Sequence, residues 1–280
     1  MKTVNIYFVL LWGVLFSCGK EPSEVTSVLP LPMESFRQES VCDKDNMTHI
    51  NAYRGNRGVS ANWLRKHARP VGAISARGTG LKTCSGTLVS NSLFLTAKHC
   101  AMDDLEEKIV TFNYLNSSIG TPFKEFNFSI ERVVEVGRNL DYAVLELKGN
   151  PGRRFGYSKV SFKKPLMQER IVIIQHPLGG PKMFDIGHLA ITYGHTLRHF
   201  VDTKYGSSGA GILDLKGYVF GLHTNGGCNS FAGANSGIKL SAVPESSILR
   251  VLDKPHDLSK WSPQESRRPK TPRSEQILWD

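Results

Sequence analysis

Between Val71 and Val243 the chain breaks into eleven short apolar runs, and that segmentation rules out most architectures before any motif is considered. The runs are "VGAIS", "SGTLVS", "LFLTA", "KIVTFNY", "FNFSIERVVEV", "YAVLEL", "RIVIIQH", "HLAITYG", "AGILDL", "YVFGLHT" and "GIKLSAV". Gly, Pro and Asn separate many of them at intervals suited to an all-β barrel or sandwich. No long amphipathic helix interrupts them, and a closing helix is predicted over "PESSILRVLD", 244–253. The flanks differ in character. Residues 18–69 open on the Pro-, Ser- and Glu-rich "EPSEVTSVLPLPMESFRQES" and show little strand or helix periodicity, while the chain beyond 253 is polar and Pro-rich. The expected organisation is a leader (1–17), a tether with a pinned segment (18–69), a β domain (70–252) and a polar tail (253–280).

The leader is read from "MKTVNIYFVLLWGVLFSCGK". Lys2 supplies a positive start, and Val4 to Phe16 form a thirteen-residue apolar run broken only by Asn5. At ~1.5 Å per residue such a run cannot cross a hydrocarbon core of ~30 Å, so it reads as a secretion signal and the chain as exported. "LFSC" resembles a bacterial lipobox, which predicts acylation of Cys18 and a lipid-anchored protein of the cell envelope, at the outer membrane or cell surface. Phe16 departs from the small or branched residue usual in that motif, and the alternative is ordinary cleavage nearby with release of the protein.

If Cys18 carries lipid, four cysteines remain, at 42, 84, 100 and 228. In an oxidising compartment they allow three pairings; the close pair favours Cys84 with Cys100, leaving Cys42 with Cys228. Neither a metal nor a cofactor is implied, because no clustered ligand spacing of the C-x₂-C or H-x₃-H kind occurs. "DKDN" at 43–46 has the flavour of a calcium loop, but Met47 and Thr48 stand where that pattern requires Asp or Asn and then Gly. Without the leader the 35 basic residues fall to 34 against 25 acidic ones, a side-chain charge of +9. With no aromatic-interleaved basic run this reads as a solvated basic face and not as a nucleic-acid surface.

Three short motifs carry the chemistry. "CSGTLVSNSLFLTAKHC" places His99 beside Cys100, where a bridge to Cys84 would pin the turn that displays the imidazole. "NLDYAVLELKG" sets Asp141 at the head of an apolar strand, a position also suited to satisfying local backbone N–H groups. "YGSSGAG" holds Ser208 in a Gly-rich turn, a weak signal alone. Together, in the order T-A-x-H-C, D-x-A-x-L-x-L, G-x-S-G, they are specific.

With these residues the sequence resembles the chymotrypsin-like serine peptidases over roughly residues 70–250, and within them the bacterial branch of glutamyl and lysyl endopeptidases, through "DTKYGSSGAG", "IQHPLGG" and "GLHTNGGC". The resemblance implies two antiparallel β-barrels with a short C-terminal helix. His99 and Asp141 would come from the first barrel and Ser208 from the second. Ser208 would be the nucleophile, His99 the general base and acid, and Asp141 the group that orients His99. The backbone N–H groups of Gly206 and Ser208 would form the oxyanion hole. The pairing of Cys42 with Cys228 also matches lysyl endopeptidases. The implied partner is a peptide or protein substrate, acted on by a monomer.

Departures from the family pattern are visible too. Ser207 replaces the aspartate that trypsin-like zymogens use in activation, "ARPVGAIS" lacks a cleavable activation sequence, and Lys98 replaces a small residue before the histidine. In the substrate pocket two readings compete. Asp202, six residues before Ser208, occupies the trypsin position that selects Lys or Arg, whereas Thr203 and His223 match the pair that reads acidic side chains in glutamyl endopeptidases. Thr224, Asn225 and Gly226 are expected to offer an edge strand to bound peptide. His176, His195 and His199 read as loop or packing residues. The competing view of the whole protein is a noncatalytic lipoprotein that uses a peptidase fold to bind a partner; its expected mark is a lost member of the His99, Asp141, Ser208 set, and all three are present.

Overall fold

Twelve of the strands close into two six-membered rings, and in each ring one long strand makes the closure possible. The structure, a computed structural model, describes residues 40–76, 79–102, 105–229 and 233–252. All of them lie in one unit, Phe36–Asp280. The expected leader 1–17, Cys18, the tether as far as residue 39 and the tail from 253 fall outside the described residues.

The first barrel contains β2 (Val71–Ala76), β3 (Lys82–Leu88), β4 (Leu93–Thr96), β5 (Lys108–Phe112), β6 (Phe126–Val136) and β7 (Ala143–Leu147), closed in the order β2-β3-β4-β7-β6-β5. β6 has eleven residues; its first half pairs with β5 and its second half with β7, through two register shifts. Such bulges bend and twist a strand, which lets one strand serve two neighbours around a small barrel. The second barrel repeats the device. Its strands are β8 (Arg170–Gln175), β9 (Met183–Tyr193), β10 (Thr196–His199), β11 (Gly211–Leu213), β12 (Val219–Asn225) and β13 (Asn235–Lys239). β9 joins β8 through Met183–His188 and β10 through Leu189–Tyr193. A two-residue strand, β1 (Thr48–His49), adds to the outer side of β9 at Met183 and Phe184.

Alternation along the strands distributes the cores. Phe94 of β4 points into the first barrel with Ile74, Phe112 and Leu145, whereas its neighbours Leu93 and Leu95 face the other way and meet Leu213, Val219, Leu222 and Ile238 of the second barrel. In β8, Ile171 and Ile173 fill the second barrel beside Leu197 and Phe220, while Val172 and Ile174 pack under α1 (Ala61–Ala68). A strand buried on both faces reads as a continuous apolar run, and "RIVII" does.

α1 falls within the segment expected to lack periodicity. Ser60 caps it by accepting from Trp63 N, Leu64 and Ala68 are its buried stripe, and Pro70 forbids its continuation. A four-residue helix, α2 (Gly152–Phe155), follows β7, and α3 (Ile248–Leu252) closes the described chain within the expected 244–253. Glu135 of β6 starts α3 by accepting from Ser247 Oγ and Ile248 N, and its other oxygen takes the Tyr142 hydroxyl at 2.5 Å. Both disulfides, Cys84–Cys100 and Cys42–Cys228, are formed as expected.

Candidate active site

β4 and β7 are paired neighbours, with Thr96 opposite Ala143, so the residues just beyond that pair emerge side by side. One is His99, in a 3₁₀ turn over Lys98–Cys100; the other is Asp141. Asp141 Oδ2 lies 2.8 Å from His99 Nδ1, and Oδ1 accepts from the His99 backbone N at 3.1 Å. Burial works against an ionised carboxylate here, but the His99 ring and the N–H groups of His99 and Lys98 outweigh it, and Asp141 is held below its ordinary range. An ionised carboxylate can only accept, so Nδ1 carries the proton and Nε2 keeps the lone pair. The Cys84–Cys100 bridge ties this turn to β3. Lys98 turns its ammonium onto the Gly137 carbonyl at 3.1 Å, away from the imidazole chemistry.

Ser208 belongs to the other barrel, in the turn before β11. Ser85 of β3 fastens that turn across the gap between barrels: its backbone N donates to Ser208 O at 2.8 Å, and its hydroxyl donates to Gly206 O at 2.8 Å while accepting from His176 N at 2.9 Å. Sequence reasoning passed over Ser85; only its place in "CSG" beside Cys84 hinted at a role. Gly206 has φ +87°, and a Cβ there would sit 2.6 Å from His176 O; at Gly209, φ +85°, it would meet Thr96 Oγ1 at 2.2 Å. Both positions therefore require glycine. Among the described residues, neither the Gly206 nor the Ser208 N–H is used by another protein group. The Ser208 hydroxyl donates to Thr224 O at 3.4 Å, and no hydrogen bond joins it to His99. A turn about χ1 would redirect it, and such contacts commonly tighten only when substrate is bound. Ser207 faces inward and accepts from Lys204 N at 3.1 Å.

The pocket residues separate into two groups. Asp202 is buried with both oxygens engaged, Oδ1 by Cys42 N and Oδ2 by Asn46 N, each at 2.8 Å. Burial pushes its pKa up to about 6, against the pull of those two bonds. This aspartate anchors the Cys42–Asn46 segment, which the Cys42–Cys228 bridge holds from its other side, so its carboxylate is not turned toward a substrate cation. His223 presents a different arrangement. His199 Nδ1 accepts from Val201 N at 3.3 Å, so its Nε2 donates, at 3.2 Å, to His223 Nδ1; that leaves His223 with a proton on Nε2. Burial pushes His223 down to about 3 and drives His199 well below its usual range, so both rings are neutral. His199 is thus more than a packing residue: it fixes the tautomer of His223. His176 is buried with its Nδ1 3.0 Å from Gly180 O, and His195 lies in the exposed β9–β10 turn. Thr203 is fully buried with an unpartnered hydroxyl, and its backbone pairs with Ser40. Thr224 is buried at the end of β12, followed by the exposed Asn225 and Gly226; Gly226 lies against Ser40.

Two closed antiparallel barrels with this connectivity are the chymotrypsin-like fold. Residues 84–222 match the family described as the trypsin-like peptidase domain. Among solved structures the chain is similar to a Glu endopeptidase in complex with MPD, at a TM-score of 0.54 and 20% identity over 72% of this chain and 94% of that one. It is also similar to the inactive form of Rv3671c from M. tuberculosis H37Rv, at a TM-score of 0.51 and 16% identity over 68% of this chain and 88% of that one. A curated relative, secreted RxLR effector protein 73 of Plasmopara viticola, is 27% identical over 217 residues, 70% of this chain. The chain spans about half the length of that relative, 53%.

Proposed function

We propose that this chain is an exported, lipid-anchored serine endopeptidase that forms an acyl-enzyme on Ser208. The observation that carries the reading is the 2.8 Å contact of Asp141 with His99 Nδ1, beside a turn that presents Ser208 with two uncommitted backbone N–H groups. In this mechanism His99 Nε2 takes the hydroxyl proton as Ser208 Oγ attacks the substrate carbonyl. Asp141 stabilises the imidazolium, and the Gly206 and Ser208 N–H groups receive the oxyanion. His99 then returns the proton to the leaving amine, and water repeats the sequence on the ester. The lipid anchor at Cys18 and the cell-envelope location rest on the leader and the "LFSC" motif.

For specificity we favour cleavage after acidic residues. The neutral His223 offers an Nε2–H donor, its tautomer fixed through His199, which accepts from the Val201 N–H. Asp202, the group that would select a basic side chain, is committed to the N-terminal segment. A fluorophosphonate probe tests the reaction class: labelling at Ser208 that disappears in Ser208→Ala supports the enzyme, and no labelling of correctly bridged protein favours the noncatalytic binding module. A peptide library tests the pocket, where cuts after Lys or Arg that vanish in Asp202→Asn and persist in His223→Ala would refute the acidic preference.

A further inference from the structure

A cleft of about 630 Å³ opens among α1, the β5–β6 connection, α2 and the start of β9, and none of the residues assigned to the peptidase site lines it. Five cations line it: Arg65, Lys66 and Arg69 at the end of α1, Arg154 of α2, and Lys182. Three amides, Asn51, Asn62 and Asn113, join them, and its lining contains no Asp or Glu. Among the described residues none of the five cations forms an ion pair with a carboxylate. The partners they do have are neutral: Arg69 donates to the Arg154 carbonyl at 2.7 Å, Arg65 to Asn62 Oδ1 at 3.1 Å, and Arg154 lies over the Phe126 ring at 3.7 Å. Basic residues in the last turn of α1 offset the helix dipole, which accounts for Arg65 and Lys66. It does not account for Arg154 and Lys182, which arrive from distant parts of the chain.

Lys182 is the second, independent sign. It is 1% exposed, and its ammonium donates to one acceptor, the Ala68 carbonyl at 2.6 Å. A buried ammonium with one neutral acceptor is a costly arrangement that an anion would relieve. Its burial lowers its pKa to about 7, so an arriving anion would also restore its charge near neutrality.

We propose that this cleft binds a ligand bearing phosphate-class oxyanions, with its charge against Lys182 and the rim cations and its body against Phe123 and Phe126. A single carboxylate would leave most of the five charges repelling one another, whereas a multiply charged oxyanion satisfies several, and guanidinium groups pair with phosphate in bidentate fashion. Phe123, exposed at 44%, gives the ligand's body an apolar wall. The oxyanions can belong to a soluble phosphorylated molecule or to an anionic phospholipid headgroup.

The test uses the full chain with Cys18→Ser, so that no acyl group contributes, and tripolyphosphate as the probe in calorimetry at physiological ionic strength. Saturable binding is expected, weakened at least about tenfold by Lys182→Met and by the paired rim change Arg69→Ser/Arg154→Ser. The remote pair Arg198→Ala/Lys239→Ala, on β10 and β13, which contribute no residue to the cleft, should leave it unchanged. The rim variant carries the test if Lys182→Met fails to fold. Flotation with vesicles of phosphatidylcholine, with or without phosphatidylglycerol, separates the sources: capture that tripolyphosphate competes away and the rim variant loses identifies a headgroup, and soluble binding without capture identifies a free phosphorylated ligand. Absence of saturable binding, or equal weakening by the remote pair, would overturn the proposal as an effect of overall positive charge.

Discussion

His176 gives the sharpest quantitative expectation. Its ring is stacked on Tyr114 with centroids 5.7 Å apart, Nδ1 lies 3.0 Å from Gly180 O, and Nε2 is buried without a partner. Burial first, and the neighbouring Lys182 second, push its pKa from 6.5 to about 3. Unfolded, the same side chain titrates at its ordinary value, so between pH 6.5 and 3 the unfolded state binds the proton and the folded state does not. The contribution is therefore fully present above pH 6.5 and is lost as pH falls. At pH 4.5, two units below the ordinary value, the loss from this one group is ~2.7 kcal/mol. His176→Phe keeps the stack and the volume, removes the titration and gives up one hydrogen bond worth ~1 kcal/mol. We expect the variant to be less stable than its parent at pH 7 and more stable at pH 4.5. Urea unfolding in a Ser208→Ala background, which prevents self-digestion, measures this at both pH values. The difference in pH dependence should move the urea midpoint by about 1 M for a slope near 2–3 kcal/mol/M. Parallel pH dependences for parent and variant would refute the assignment of a neutral buried imidazole.

Because nucleophile and base act as one unit, Ser208→Ala and His99→Ala should each abolish nearly all peptide turnover, and the double variant should be hardly slower; multiplicative losses in kcat would contradict the shared step. Gly206→Ala places a methyl 2.6 Å from His176 O at a left-handed φ, and should cost ~10²–10³ in rate with a measurable fall in Tm. Glu135→Ala strands the Tyr142 hydroxyl and uncaps α3, for an expected loss of ~2–4 kcal/mol in denaturant unfolding with probe labelling of Ser208 retained. Replacing Cys84 and Cys100 by Ser, which opens a bridge spanning 16 residues, should cost ~3 kcal/mol and lower turnover by loosening the His99 turn; stability loss with unchanged kcat would show that the bridge does not position the base.

The order of the strands was legible because period-2 alternation and Gly/Pro punctuation are local. "FNFSIERVVEV" coincides with β6, and "RIVII" marks β8 because that strand is buried on both faces. "HLAITYG" is less faithful: it covers only the second half of β9, whose start at Met183 is masked by the Asp185 and Gly187 that interrupt the apolar pattern, and β10 carries too few apolar residues to stand out. α1 was missed because eight residues give only two buried positions, Leu64 and Ala68, too few for a helical period to show beside the polar Asn62, Arg65, Lys66 and His67.

The sequence by itself determined the residue types and their order: a histidine closed into a turn by a cysteine, an aspartate heading a strand, and a serine between glycines. It also set the alternation that makes the chain all-β, since strand pleating follows from neighbours one and two residues away. Only the tertiary structure decided what Asp202 and His199 do. Asp202 is drawn to Cys42 and Asn46 across 160 and 156 residues, and His199 meets His223 across 24. The same structure gathered Lys182, Arg154 and the end of α1 around one cleft. Such pairings come from the closure of two barrels and the packing of a helix on one of them, and closure brings together residues whose separation along the chain leaves no local periodic trace.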